Sequence, residues 1–141
     1  MATTLTGLRR SMVKEKPKVQ SILESVFGNA VDKLIAVDAG RLISDMYIQL
    51  DMTSGEIQVY DDQENLLEKN VIFDWADRSE KGVRSHKQPV SSIRATLIGL
   101  KSRKIFESPV FMRPFRVLLV DDNFCEIESV FTLGEENAHL E

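Results

Sequence analysis

The chain is poorest in the residues that fixed-site chemistry uses most often. Cys125 is the one cysteine among 141 residues, so no disulfide can close within the chain and a reduced, cytosolic setting is expected. His86 and His139 do not cluster with each other or with Cys125, which leaves no soft-ligand metal motif. The seven glycines stand no closer than twelve residues apart. Phosphate-cradling loops need neighbouring glycines so that backbone N–H groups can reach the ligand, so neither a P-loop nor a dinucleotide fingerprint is present. The longest apolar runs, Leu34–Val37 and Val117–Val120, have four residues each, against the roughly 20 that a membrane helix needs. Residues 1–13 carry Arg9 and Arg10 but no apolar stretch of seven, so they do not read as a secretory signal.

What remains is ordinary globular material: 43% hydrophobic and 28% charged residues, in a length suited to one domain with its own core. The net charge of −4 conceals a segregation. Residues 1–18 carry +4, residues 19–77 hold three bases against twelve acids, residues 78–104 hold eight bases against Glu80, and residues 105–141 hold two bases against eight acids. A basic stripe of this kind meets either an acidic partner or the protein's own acidic strands.

Periodicity supplies the elements. Pro17 opens an amphipathic helix, since its missing N–H costs nothing in a first turn. Val19, Ile22, Leu23, Val26, Phe27, Ala30, Val31 and Leu34 share one face. Gly28 and Asn29 are candidate breakers that would free Lys33–Val37 to be a strand. Asp38-Ala39-Gly40 reads as a turn. Leu42, Met46, Ile48, Leu50 and Met52 then alternate, with Ile43 and Tyr47 on the other face. Thr53-Ser54-Gly55 reverses the chain into Glu56–Tyr60, a hairpin. Past the polar connection Asp61–Asn65, Val71–Trp75 reads as a third strand with Val71, Phe73 and Trp75 facing together. Asp77–Lys87 reads as a charged loop. Residues 89–104 fit a helix through Val90, Ile93, Leu97 and Leu100, or a strand through Ile93, Ala95 and Leu97. Pro109 and Pro114 impose an extended or looping connection, and Phe115–Val120 with Glu126–Thr132 forms a closing hairpin across Asp121-Asp122-Asn123.

The expected fold is therefore α+β: an N-terminal amphipathic helix packed on an antiparallel sheet, in the order α-β-β-β-α-β-β, with the second helix open to a strand reading. Residues 1–16 form a basic tail, 17–133 the domain and 134–141 a polar tail. In element order, acidity and length this resembles the small dimeric chaperones of type III secretion, although the C-terminal helix of those proteins is not evident. The resemblance is one of architecture and implies a protein-binding dimer.

Local strings carry weaker likenesses. Arg116-Val117-Leu118-Leu119-Val120-Asp121-Asp122-Asn123 resembles the first strand of receiver domains, whose paired acids help hold Mg²⁺. Only 18 residues follow Asn123, too few for the rest of that α/β domain, so a polar hairpin turn is expected. Asp51-Met52-Thr53-Ser54-Gly55 is similar to the Asp-x-Ser-x-x-Gly stretch of PilZ domains, but its glycine comes one residue early, and a tight hairpin accounts for Gly55. Asp121, Asp122, Glu126 and Glu128 could supply oxygen ligands to Mg²⁺ or Ca²⁺. Against that, Glu126 and Glu128 fit the solvent side of a strand whose other side carries Cys125, Ile127 and Phe131. Gly-x-Ser-x-Gly is missing, Cys125 lies among acids without the cations that activate a thiol, and His86 reads as a solvated loop residue.

The segment from Arg103 to Arg116 interleaves cations with aromatics, a composition suited to single-stranded nucleic acid. Its candidate contacts are Arg94, Lys101, Arg103, Lys104, Arg113, Arg116 and Phe111. The favoured expectation is nevertheless a non-catalytic interaction or adaptor domain, without cofactor or membrane. It would bind an unidentified protein or itself through the sheet face away from the helix, or through a sheet edge. Nucleic-acid contact through residues 78–116 and a carboxylate-metal enzyme built on Asp121 and Asp122 are the alternatives. Ile43, Tyr47 and Ile72 mark the second face as not fully polar.

Overall fold

The computed structural model describes residues 15–37, 41–76 and 86–134. Residues 1–14 and 135–141 of the expected tails, the turn at residues 38–40 and most of the charged loop, with Arg78, Lys81 and Arg84, lie outside the described residues. Glu15 and Lys16, expected in the tail, instead begin the first helix two residues before Pro17. Helix α1 (Glu15–Val37) leads into strands β1 (Ile43–Asp51), β2 (Glu56–Tyr60) and β3 (Leu66–Val71). A short 3-10 turn (Phe73–Trp75), helix α2 (Lys87–Ser102) and strands β4 (Phe111–Val120) and β5 (Glu126–Leu133) complete the order α-β-β-β-α-β-β.

Helix α1 runs through Gly28 and Asn29 rather than stopping there, because both lie away from the buried stripe of Leu23, Val26, Phe27, Ala30, Val31 and Leu34. Residues 89–104 are helical up to Ser102. Val90, Ile93, Leu97 and Leu100 are buried and Ile98 is exposed, the pattern of a 3.6-residue period.

The five strands make one sheet in the order β3-β2-β1-β4-β5. The neighbours β3·β2, β2·β1 and β4·β5 are antiparallel, whereas β1 and β4 run parallel. The sheet is thus mixed and not antiparallel throughout: α2 carries the chain back across the layer, so β4 re-enters in the direction of β1. Both helices pack on one face of the sheet, over a core that includes Phe27, Met46, Ile48, Ile57, Phe115 and Leu119. Residues Val117–Val120 are buried on both sides of the sheet, as a central strand with a parallel neighbour demands.

Four sequence expectations fail where strict alternation fails. A register shift between Ile43 and Asp45 turns Ile43 into the core and leaves Leu42 exposed. The third strand is Leu66–Val71, not Val71–Trp75. The 3-10 turn that follows it sets Ile72 and Trp75 inward and leaves Phe73 74% exposed. Strand β4 begins at Phe111 and includes Pro114, which is tolerated where pairing with β1 is irregular. Two shifts in the β4·β5 ladder bury Val130 and Phe131 together, and Cys125 and Ile127 are exposed instead of sharing a buried side with Phe131.

Candidate functional site

Helices cover one face of the sheet, so the opposite face is where a surface can be built on rigid strands. Register identifies it. Val59, Ile57 and Ile48 face the core, hence Glu56, Gln58 and Tyr60 of β2 and Asp45, Tyr47 and Gln49 of β1 face away. On β4, alternation with Phe115, Val117 and Leu119 puts Arg116, Leu118 and Val120 on the same open face.

Across the middle of this face the ladders align Leu66, Tyr60, Tyr47 and Leu118 as consecutive cross-strand partners. Leu66 is 49% exposed, the two tyrosines are half-buried and Leu118 is buried. Phe124 of the β4–β5 turn folds back over the row. Its ring centroid lies 4.9 Å from that of Tyr60 and 6.0 Å from that of Tyr47, both edge-to-face. Gln49 fixes the arrangement: its Nε2 donates to the Asp121 carbonyl at 3.0 Å, and its Oε1 lies 3.2 Å from the Tyr60 hydroxyl. The same hydroxyl donates to Gln58 Oε1 at 2.6 Å.

Phe124 sits at φ 62°, a left-handed conformation that costs a residue with a side chain about 1–2 kcal/mol. The turn explains it. Asp121 opens the turn by accepting the N–H groups of Asn123 and Cys125 on Oδ1, each at 2.9 Å, and Phe124 N–H donates to the Asp121 carbonyl. Phe124 then occupies the left-handed bulge position before β5. The β2–β3 turn repeats the design: Asp61 Oδ1 accepts from Gln63 at 2.8 Å and Asn65 at 2.9 Å, and Glu64 sits at φ 67°. The signal for this pair was the doubled Asp-Asp string at 61–62 and 121–122. Nothing in the residue type marked Phe124, since glycine or asparagine is usual at that position.

Carboxylates ring the row. Burial, followed by Asp45, Asp62 and Glu64, raises the Tyr47 pKa, with Arg116 opposing. Burial, followed by Glu56 and Asp122, raises that of Tyr60. Arg116 Nε meets Asp45 Oδ1 at 3.0 Å.

Among the described residues, the basic segment does not assemble on this face. Arg116 alone of the seven candidate contacts joins it. Arg94 lies on the helix side, where Nε donates to the Val130 carbonyl at 2.8 Å and Nη2 to that of Ser129 at 3.3 Å, with Glu128 at 3.6 Å. Arg103 pairs with Glu24 of α1 at 3.4 Å, and Arg113 Nη2 donates to the Phe106 carbonyl at 3.2 Å. Lys101 and Lys104 are exposed around the end of α2. Phe111 is a core residue, 4% exposed, in ring contact with Phe106 and Phe115, so it offers no surface for a base to stack on.

The two sheet edges are partly closed. Lys33 of α1 donates to the Leu67 carbonyl of β3 at 2.7 Å and pairs with Glu68 at 2.6 Å. Arg94 does the equivalent for β5. His86, at the start of α2, shares an open depression of about 350 Å³ with Asp121, Asp122 and Asn123, whose side chains are exposed. A larger groove of about 590 Å³ lies between the helices, lined by Gln20, Asp74, Trp75, Gln88 and Ser92 among others. Among the described residues no three His, Cys, Asp or Glu side chains converge as a metal site, and no helix is long and apolar enough to cross a membrane. No protein-family model, curated protein or solved structure matches the chain, so its likeness to secretion chaperones stays one of element order.

Proposed function

We propose that this protein is a non-catalytic interaction domain that binds another protein on the open face of its sheet. The supporting observation is the row of Leu66, Tyr60 and Tyr47, seated on buried Leu118, with Phe124 held over it. Half-buried aromatic side chains on a rigid sheet supply contact area at small entropic cost, and tyrosine combines an apolar ring with a polar tip. The Asp121 turn holds Phe124 in place over the tyrosines, at a left-handed φ of 62°. The Lys33 and Arg94 contacts occupy edge carbonyls, so strand addition at an edge is the less favoured route.

The test compares capture from cell extract by the full chain and by two variants. Tyr60→Asp should abolish capture of a specific partner while leaving the circular-dichroism spectrum intact. Arg103→Ala, on the helix side, should capture as the wild type does. Equal capture by all three would refute the reading.

A further inference from the structure

The electrostatics of the open face narrow the partner's chemistry. Asp45, Asp51, Glu56 and Glu126 project from the strands on this side, and Asp62, Glu64 and Asp122 stand in the adjoining turns. Asp45 is paired with Arg116 at 3.0 Å and Asp62 with Arg41 at 2.6 Å, and Lys69 is a further base on the described strands of this face. Among the described residues, Asp51, Glu56, Glu64, Asp122 and Glu126 remain as the acids without an ion-pair partner there. The same segregation is visible in the sequence, where residues 19–77 carry the acids of the meander. A second copy docked face to face would set like charges against each other, at a cost of several kcal/mol. The rings of Tyr60 and Phe124 touch, leaving no slot between them for an inserted head group, so an occupant must lie across the row. Long cationic side chains fit that demand: their methylene stems cover aromatic faces while their charges reach a carboxylate rim.

Resting on the reading of the open face as a docking surface, we propose that its partner is a basic segment of another protein. Lysine or arginine side chains of that segment would lie along Leu66, Tyr60 and Tyr47, with their charges among Glu56, Glu64 and Asp122.

The experiment follows backbone amide shifts of the ¹⁵N-labelled full chain. The probes are a short peptide of alternating lysine and alanine and its glutamate counterpart. The lysine peptide should move amides of Tyr47, Gln49, Gln58, Tyr60, Leu118 and Phe124. Its affinity should fall roughly tenfold between about 20 and about 200 mM salt, as screening of exposed charges requires. The glutamate peptide should move none of them. The triple variant Glu56→Gln, Glu64→Gln, Asp122→Asn removes charge without removing side chains and should weaken the lysine peptide at least about fivefold.

Shifts confined to the helix face, equal binding by the triple variant, or no shift at all would overturn the inference. So would a doubled mass in solution with dilution-dependent shifts at the same amides, which would make a second copy the occupant. If the lysine peptide fails but capture from extract still depends on Tyr60, the docking face survives and the cationic partner does not. If capture is equally indifferent to Tyr60→Asp, both fall.

Discussion

Gly55 closes the β1–β2 turn at φ +82°, and a Cβ built there would lie 2.3 Å from the Ile72 carbonyl oxygen and 3.2 Å from the Ala76 nitrogen. Gly55→Ala therefore meets two penalties. The left-handed backbone costs about 1–2 kcal/mol for a residue with a side chain. The clash is with backbone that has nowhere to go: the Ile72 carbonyl accepts Trp75 N–H at 2.9 Å, and Ile72 N–H donates to the Gly55 carbonyl at 2.8 Å. Moving it by about 1 Å forfeits these bonds, each worth about 1 kcal/mol net, and loosens Trp75, which is 2% exposed. The total is about 3–5 kcal/mol, a large share of a typical domain's stability. At roughly 3 °C per kcal/mol for this chain length, Tm should fall by about 10–15 °C. Thermal and urea unfolding read by circular dichroism and by Trp75, the single tryptophan, would measure it. Gly28 supplies the control: beyond its own stretch of helix backbone, nothing lies within 4 Å of its added Cβ, so Gly28→Ala should stabilise the helix by about 0.5–1 kcal/mol. A Gly55→Ala variant within about 1 kcal/mol of wild type, or a Gly28→Ala variant that loses as much, would refute the reasoning.

Other outcomes follow from the turns and the tyrosines. Asp61→Ala should cost about 2–3 kcal/mol in urea unfolding, because the buried carboxylate accepts two backbone N–H groups and Asn65 Nδ2. Asp121→Ala, its exposed counterpart, should cost about 1 kcal/mol. Lys104 sits at φ 67° after α2, so Lys104→Gly should raise stability by about 0.5–1 kcal/mol in the same assay. Both tyrosines of the chain lie on the open face and have pKa values raised from 10.0. Ultraviolet titration should then show tyrosinate appearing above the ordinary range. Since the folded state holds these protons more tightly than the unfolded one, unfolding midpoints should fall as pH rises past about 10.

The first helix was legible because Val19–Leu34 repeats at intervals of three and four and Gly28 did not outweigh so long a buried stripe. Val90–Leu100, in contrast, fitted helix and strand alike and is fixed as a helix by the burial of Val90, Ile93, Leu97 and Leu100. Four of the five strands were legible at a period of two, whereas β3 was expected at Val71–Trp75 and lies at Leu66–Val71. Facing was not legible wherever one extra residue enters a strand: Ile43, Val130 and Ile127 each lie at or beside a register shift. Ile72 was assigned to the open face by parity and lies in the core, because the 3-10 turn changes the period just after it. Of the aromatic and apolar row on the open face, Tyr47 alone was anticipated. Leu118 was hidden in an unbroken apolar run, and Phe124 enters only through a backbone conformation that its residue type disfavours.

The helix-borne cations at the sheet's rims have a consequence for concentration. An open sheet risks polymerising, since each rim offers an unfinished ladder to any passing chain. Lys33 and Arg94 plug carbonyls on opposite rims from helices that are themselves anchored in the interior. Neutralising both together should raise the tendency of the chain to seed fibrous precipitate above that of the wild type, while the broad surface between the rims stays unchanged.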